Sequence, residues 1–120
     1  MCGTRKLDAA RPLRWNEKLG AAAHAHAEDM ARNNYFSHES RDGSTPAQRV
    51  TRLGYRYRII GENIAAGQMD PEAPVAGWIK SPPHCANLMN GAFTDMGVAF
   101  AVQPKSEMGV YWAQEFGAQR

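Results

Sequence analysis

The stretch "DMGVAFAVQPKSEMGVYWAQEF" (Asp95 to Phe116) limits the fold more than any other part of the chain. Met96, Val98, Phe100 and Val102 recur at every second position, the period of a strand. "PKSEMG" then reads as a hairpin loop and "VYWAQEF" as the returning strand. Strands joined by so short a loop pair antiparallel, because a parallel pair needs a crossover of about a dozen residues or more. The alternation predicts that Val98, Phe100, Val110 and Trp112 pack against helices. Upstream, "YRYRI" sets Tyr55, Tyr57 and Ile59 against Arg56 and Arg58, a third and half-buried strand. "GENIAAG" reads as a loop bounded by glycines.

Helices precede and separate these strands. In "PLRWNEKLGAAAHAHAEDMARNNYF" the residues Leu19, Ala22, Ala23, His26, Ala27 and Met30 form one stripe at helical spacing. Pro12 suits its first turn, and Asn33 and Asn34 suit its end. In "DGSTPAQRVTRLGY", Thr45 is the expected N-cap, Pro46 the first helical residue and Gln48 the reciprocal cap. Gly54 fits the left-handed position that closes a short helix. "DPEAPVAGWIK" starts again at Asp70 and Pro71 and is expected to end near Lys80, before Pro82 and Pro83. "HCANLMN" reads as a short helical turn. Three antiparallel strands with helices out of strict alternation make an α+β fold, its sheet covered on both faces.

At 120 residues the chain makes one domain with a modest core. No apolar run approaches a membrane span, and the first residues lack the apolar core of a signal peptide. Net charge is +2, from 14 basic and 12 acidic residues, which argues against a nucleic-acid partner. The local excess of Arg49, Arg52, Arg56 and Arg58 reads as a solvated face. Cys2 and Cys85 are too far apart for a CxxC motif; they permit one disulfide but do not require it.

The common catalytic motifs are absent: no HExxH, GxSxG, P-loop or EF-hand loop. In "HAHAED", His24 and His26 stand two apart and point to opposite sides of a helix, so they cannot share an ion. His26 reads as a core histidine. Ser81 three residues before His84 raises a nucleophile–base pair, but two prolines intervene and no third residue orients the base. An activated Cys85 thiolate beside His84 rests on adjacency alone. The dispersed set His38, Glu62 and His84 holds metal-capable side chains on three segments that one rim of the sheet could gather.

"FSHESRDGSTPAQRV", "GYRYRIIGENIAAG", "GWIKSPPHCANLMN" and "YWAQEFG", in this order between about Leu13 and Gly117, resemble the CAP superfamily. That superfamily comprises cysteine-rich secretory, antigen-five and pathogenesis-related proteins, and the resemblance is nearest to its bacterial SCP-like branch. It implies a three-layer α-β-α sandwich with a small, mainly antiparallel central sheet. Residues 1–120 would form a single such domain, secreted or periplasmic, without the family's N-terminal helix. It implies a cleft holding His38, Glu62 and His84. Ser81 stands where the family often has a second glutamate, three residues after Trp78, with Asp42 or Glu39 as substitutes. It also implies that Cys2 pairs with Cys85.

The resemblance points to a binding module with no required cofactor. Its cleft would take a divalent cation such as Zn²⁺ through His38 and His84, or a small ligand. A lipid or sterol, or an extracellular protein, is the expected partner. Two other readings stand beside it. One is a metal-assisted hydrolase in which Glu62 activates water; the other is a His/Glu network that only ties loops together. No shared reaction follows from the resemblance, so the reading leans away from an enzyme.

Overall fold

The computed structural model describes residues 13–67, 74, 77–78, 82–88 and 91–120. Cys2, Pro12, Asp70, Pro71, Lys80 and Ser81 lie outside the described residues.

Helix α1 (Glu17–Asn33) starts later than the periodicity predicts. The Asn16 side chain accepts hydrogen bonds from the Lys18 and Leu19 N–H groups, which fixes the first turn at Glu17. The residues just before it are extended instead. Arg14 and Trp15 form a short strand, β1, parallel to a later one. The end is as expected: Asn34 adopts a left-handed conformation (φ 54) and its N–H bonds to Met30 O. The buried face carries the expected stripe, Leu19 through Met30. Helix α2 (Pro46–Arg52) shows the full capping box between Thr45 and Gln48, with Pro46 in its first turn.

The sheet has four strands in the order β1-β3-β4-β2. β2 is Tyr57–Ala66, β3 Asp95–Val102 and β4 Val110–Gln119. β3 and β2 both pair antiparallel with β4, so the sheet is mainly antiparallel. "GENIAA" is therefore strand, not loop. Ile59 to Ala66 each have a partner between Tyr111 and Ala118 of β4. β4 supplies the ladder, and side chains from neighbouring elements satisfy the polar groups that made the segment look like a loop.

α1 covers one face. Ala23, Ala27 and Met30 pack on Ile64, Tyr111 and Ala113, with Ala99 and Ala101 at the margin. The other face buries Trp112 and Val110 against Trp78, which lies in a helical segment. A further short helix, α3 (Pro82–Leu88), contacts β2. Its prolines open a helix here, where proline lacks no needed N–H.

The faces of β3 differ from expectation. Val110 and Trp112 are buried, but Phe100 is 52% exposed while lying 4.9 Å from Trp112, centroid to centroid. The residues turned to α1 are the small ones, Gly97, Ala99 and Ala101. The helix runs so close that a Cβ on Gly97 would stand 2.1 Å from the Gly20 nitrogen. Bulky residues of β3 are thus displaced to the opposite side.

That contact makes a direct test. Gly97→Ala should destabilise by about 3 kcal/mol, since neither backbone can yield, whereas Gly91→Ala, which meets open space, should change stability by less than about 0.5 kcal/mol. Urea unfolding of both variants measures this; equal midpoints would contradict the close packing.

Candidate functional site

The site grows from two consecutive residues of β2. Along a strand, side chains alternate between faces. Glu62 turns to the α1 side and Asn63 to the α3 side, and each reaches a segment that carries a histidine.

On the α1 side, Glu62 is buried and both its oxygens are engaged. Oε2 accepts from Arg49 Nη2 at 2.6 Å, and Oε1 lies 2.7 Å from His38 Nδ1. A carboxylate only accepts, so Nδ1 of His38 carries the proton and donates. The opposite nitrogen, Nε2, is left as a lone pair on a ring that is 52% exposed. Arg49 does more than neutralise Glu62. Its Nη1 donates to His38 O at 2.8 Å, to Ser40 Oγ at 3.0 Å and to Ser44 O at 3.0 Å. One guanidinium thereby fixes the backbone of the segment whose imidazole Glu62 orients. The reading of Arg49 as part of a solvated face is corrected: it is buried on the inner side of α2 beside Val50.

On the α3 side, Asn63 Nδ2 donates to His84 O at 3.3 Å. Asn87 Nδ2 donates to Asn63 Oδ1 at 3.1 Å and to Glu62 O at 3.2 Å. Trp78 Nε1 donates to Ile64 O at 3.0 Å. These side chains take carbonyls of the edge strand, so another strand has little to pair with there. His84 is partly buried. Burial, and then the nearby His38, hold its pKa below the usual histidine value, so it stays neutral into mild acid. His38 and His84 are thus carried by segments on opposite sides of β2.

Behind Glu62 lies a second carboxyl. Glu115 is its cross-strand partner on β4 and is fully buried. Burial, reinforced by Glu62, raises the Glu115 pKa well above the ordinary carboxyl value, so it is held protonated. Neither Glu115 oxygen finds a well-formed hydrogen bond among the described residues, so the two carboxyls interact by facing one another. Burial would raise Glu62 as well, but Glu115, His38 and Arg49 outweigh it, and its pKa is lowered. His26 completes the buried group. Its Nε2 donates to Ser37 O at 2.8 Å, which leaves Nδ1 bare and without a partner among the described residues. Burial lowers its pKa. His26 is the core histidine the sequence predicts.

Of the residues expected in the site, His38, Glu62 and His84 gather about β2. Asp42 and Glu39 do not join Glu62: Asp42 pairs with Arg52, and Glu39 is exposed. Ser81 and Cys2 lie outside the described residues. Among the described residues no three His, Cys, Asp or Glu side chains converge in metal-holding geometry. Arg49, Asn63, Asn87 and Glu115 were not anticipated. The available signal was weak: charged or amide residues at positions whose neighbours are apolar.

Helices packed on a four-stranded, mainly antiparallel sheet in this order are the sandwich of an SCP-type domain. Residues 3–116 match the CAP family, described as the cysteine-rich secretory protein family, and the chain belongs to it. It is 37% identical over 112 residues to the uncharacterized protein YkwD of Bacillus subtilis (strain 168), covering 93% of this chain and 42% of YkwD. It is also 37% identical over 86 residues to the uncharacterized membrane protein YlbC of the same organism, covering 72% of this chain and 25% of YlbC. The chain therefore spans less than half the length of these relatives. Among solved structures, an extracellular protein containing a SCP domain from Bacillus anthracis superposes with a TM-score of 0.80 at 34% identity, over 92% of this chain and 35% of that one. An outer surface protein of Borrelia burgdorferi gives a TM-score of 0.80 at 22% identity, over 92% of this chain and 80% of that one, and shares the fold.

The two carboxyls should respond to pH with opposite signs. The raised pKa of Glu115 means that the folded state keeps a proton which the unfolded chain, near 4.5, releases. Its contribution is present below that value and is lost as pH rises toward the raised one. Glu62, with a lowered pKa, contributes above the ordinary range and loses its contribution as pH falls through the folded value. Relative to the wild type, Glu115→Gln should therefore gain stability as pH rises above about 4.5, whereas Glu62→Gln should be less stable by a constant amount above that value and approach the wild type only as pH falls below it. Urea midpoints on both sides of that value read the difference; parallel profiles for the two variants would contradict the assignment.

Proposed function

We propose that this domain is a secreted binding module whose ligand-facing atoms are the exposed nitrogen of His38 and the imidazole of His84. The supporting observation is the 2.7 Å contact of His38 Nδ1 with Glu62. A buried carboxylate that orients one ring nitrogen and frees the other is how proteins prepare a histidine for a cation. Secretion accords with the extracellular and outer-surface relatives and with the lack of any described helix long and apolar enough to cross a membrane.

The donor set fits a weakly held divalent cation. Two neutral imidazoles suit Zn²⁺, but Glu62 has both oxygens committed, so the remaining positions fall to water or to the partner. When bound, such an ion would offer a positive point to an oxygen-bearing group of a small ligand, a lipid or sterol, or an extracellular protein. The protein's own part is to hold His38 and His84 in place. Hydrolysis is not part of the proposal. Glu62 is tied to Arg49 and His38, and Glu115 is sealed in the core, so neither carboxyl is placed to activate water.

We further propose that Cys85, buried in α3 beside His84, pairs with Cys2 and anchors the N-terminal segment near the site. Alkylation of native protein should find no free thiol, and two modified cysteines would sink that pairing.

Titration with Zn²⁺ tests the main proposal. Wild type and His24→Ala should bind alike, since His24 sits on the outer face of α1 near Glu28. His38→Ala and His84→Ala should each lose most of the affinity, and binding should fade below about pH 6. Equal binding by all four proteins would remove the metal site. Peptide or ester turnover that vanishes in Glu62→Gln would replace the binding module with a hydrolase.

A further inference from the structure

The four arginines that stand close in sequence separate in the fold. Arg49 is buried on Glu62, and Arg52 pairs with Asp42. Arg56 and Arg58 remain exposed and form no ion pair among the described residues. They sit two apart at the start of β2, and the register of that strand shifts between Tyr57 and Ile59, at Arg58. Arg120 reaches the same place from the far end of the chain. Its backbone N–H donates to Arg56 O at 3.2 Å and its Nε to Tyr57 O at 3.1 Å. That grip leaves both Nη groups of Arg120 without a partner among the described residues.

Arg56, Arg58 and Arg120 all line one recess of about 490 Å³, together with Thr51, Gly54, Tyr55 and Tyr57. No Asp or Glu side chain lines it; the α-carboxylate of Arg120 sets one negative charge against the three arginines. Its size lies within the roughly 300–1,000 Å³ usual for small-molecule sites. Three like charges gathered on a concave wall repel one another and attract a counter-ion. Each guanidinium presents paired donors matched to two oxygens of an oxyanion. A carboxylate has two oxygens and one charge, too few for three forks. A phosphate group has three terminal oxygens and nearly two charges at neutral pH. Arg58 and Glu62 are four residues apart on β2, about 13 Å along the strand, so the recess is separate from the histidine site.

We propose that this recess is a phosphate-binding site, formed by Arg56, Arg58 and Arg120, for a phosphomonoester or a terminal phosphate of a polyphosphate chain. Calorimetric titration at low salt with inorganic phosphate, glycerol 3-phosphate and tripolyphosphate, with acetate as control, tests it. The phosphate probes should bind, acetate should not, and affinity should fall as salt rises. Tighter binding of tripolyphosphate would extend the site to a chain, and equal affinities would confine it to one phosphate; either supports the proposal. Arg56→Gln, Arg58→Gln and Arg120→Gln should each weaken binding about fivefold or more. Arg41→Gln, an exposed arginine that donates to Asn33, should not. All four are checked for an unchanged melting temperature. Undiminished binding by the Arg56→Gln/Arg58→Gln double variant would overturn the proposal. So would an equal loss in Arg41→Gln, which would reduce the effect to overall charge.

Discussion

The buried ion pair between Arg49 and Glu62 is the interaction on which the site depends. Taking both charges out of water costs several kcal/mol per ion, and Coulomb attraction alone need not repay it. Here the geometry supplies more than attraction. Arg49 makes three further contacts to the 38–44 segment, and Glu62 holds the His38 ring. The charge count around them is also balanced. Two carboxyls face one guanidinium, and the deeper one, Glu115, stays protonated. Breaking the pair from either side would leave a buried charge uncompensated, strand the segment that carries His38, and cost about 3–5 kcal/mol.

β2 turns this local pair into a two-sided site. Because strand side chains alternate, a Glu-Asn dipeptide on an edge strand addresses both faces at once. Glu62 orients the His38 ring through Nδ1, and Asn63 holds the His84 backbone with support from Asn87. The edge position is what allows two segments from opposite layers to approach each other. Exchanging the two residues would send a charge to the amide side and an amide to the arginine.

What could be read from the sequence was mostly local. The apolar stripe of α1, the Thr45–Gln48 capping box and the two C-terminal strands depend on neighbours within a few residues. What could not be read depends on distant partners. β1 is two residues long and exists because Arg14 and Trp15 lie beside Asp95 and Met96. "GENIAA" looked like a loop because its polar residues are satisfied by Arg49, His38 and Asn87, which no strand pattern reveals. Phe100 is exposed rather than packed on a helix because close helix packing selects small residues at Gly97, Ala99 and Ala101, against the usual rule that bulky residues face inward. His38, Glu62 and His84 were picked out by residue type and by family resemblance. Arg49 and Glu115 were missed because a charged residue on a short helix or in a strand ordinarily reads as exposed.

The account turns on which nitrogen of His38 carries the proton. Long-range ¹⁵N–¹H correlation of the imidazoles, above the usual histidine range at about pH 8, assigns it directly. With Glu62 ionised and accepting from Nδ1, His38 should be in the Nδ1–H form with Nε2 unprotonated. A His38 ring in the Nε2–H form would contradict the orientation by Glu62 and, with it, the outward lone pair on which the proposed site rests.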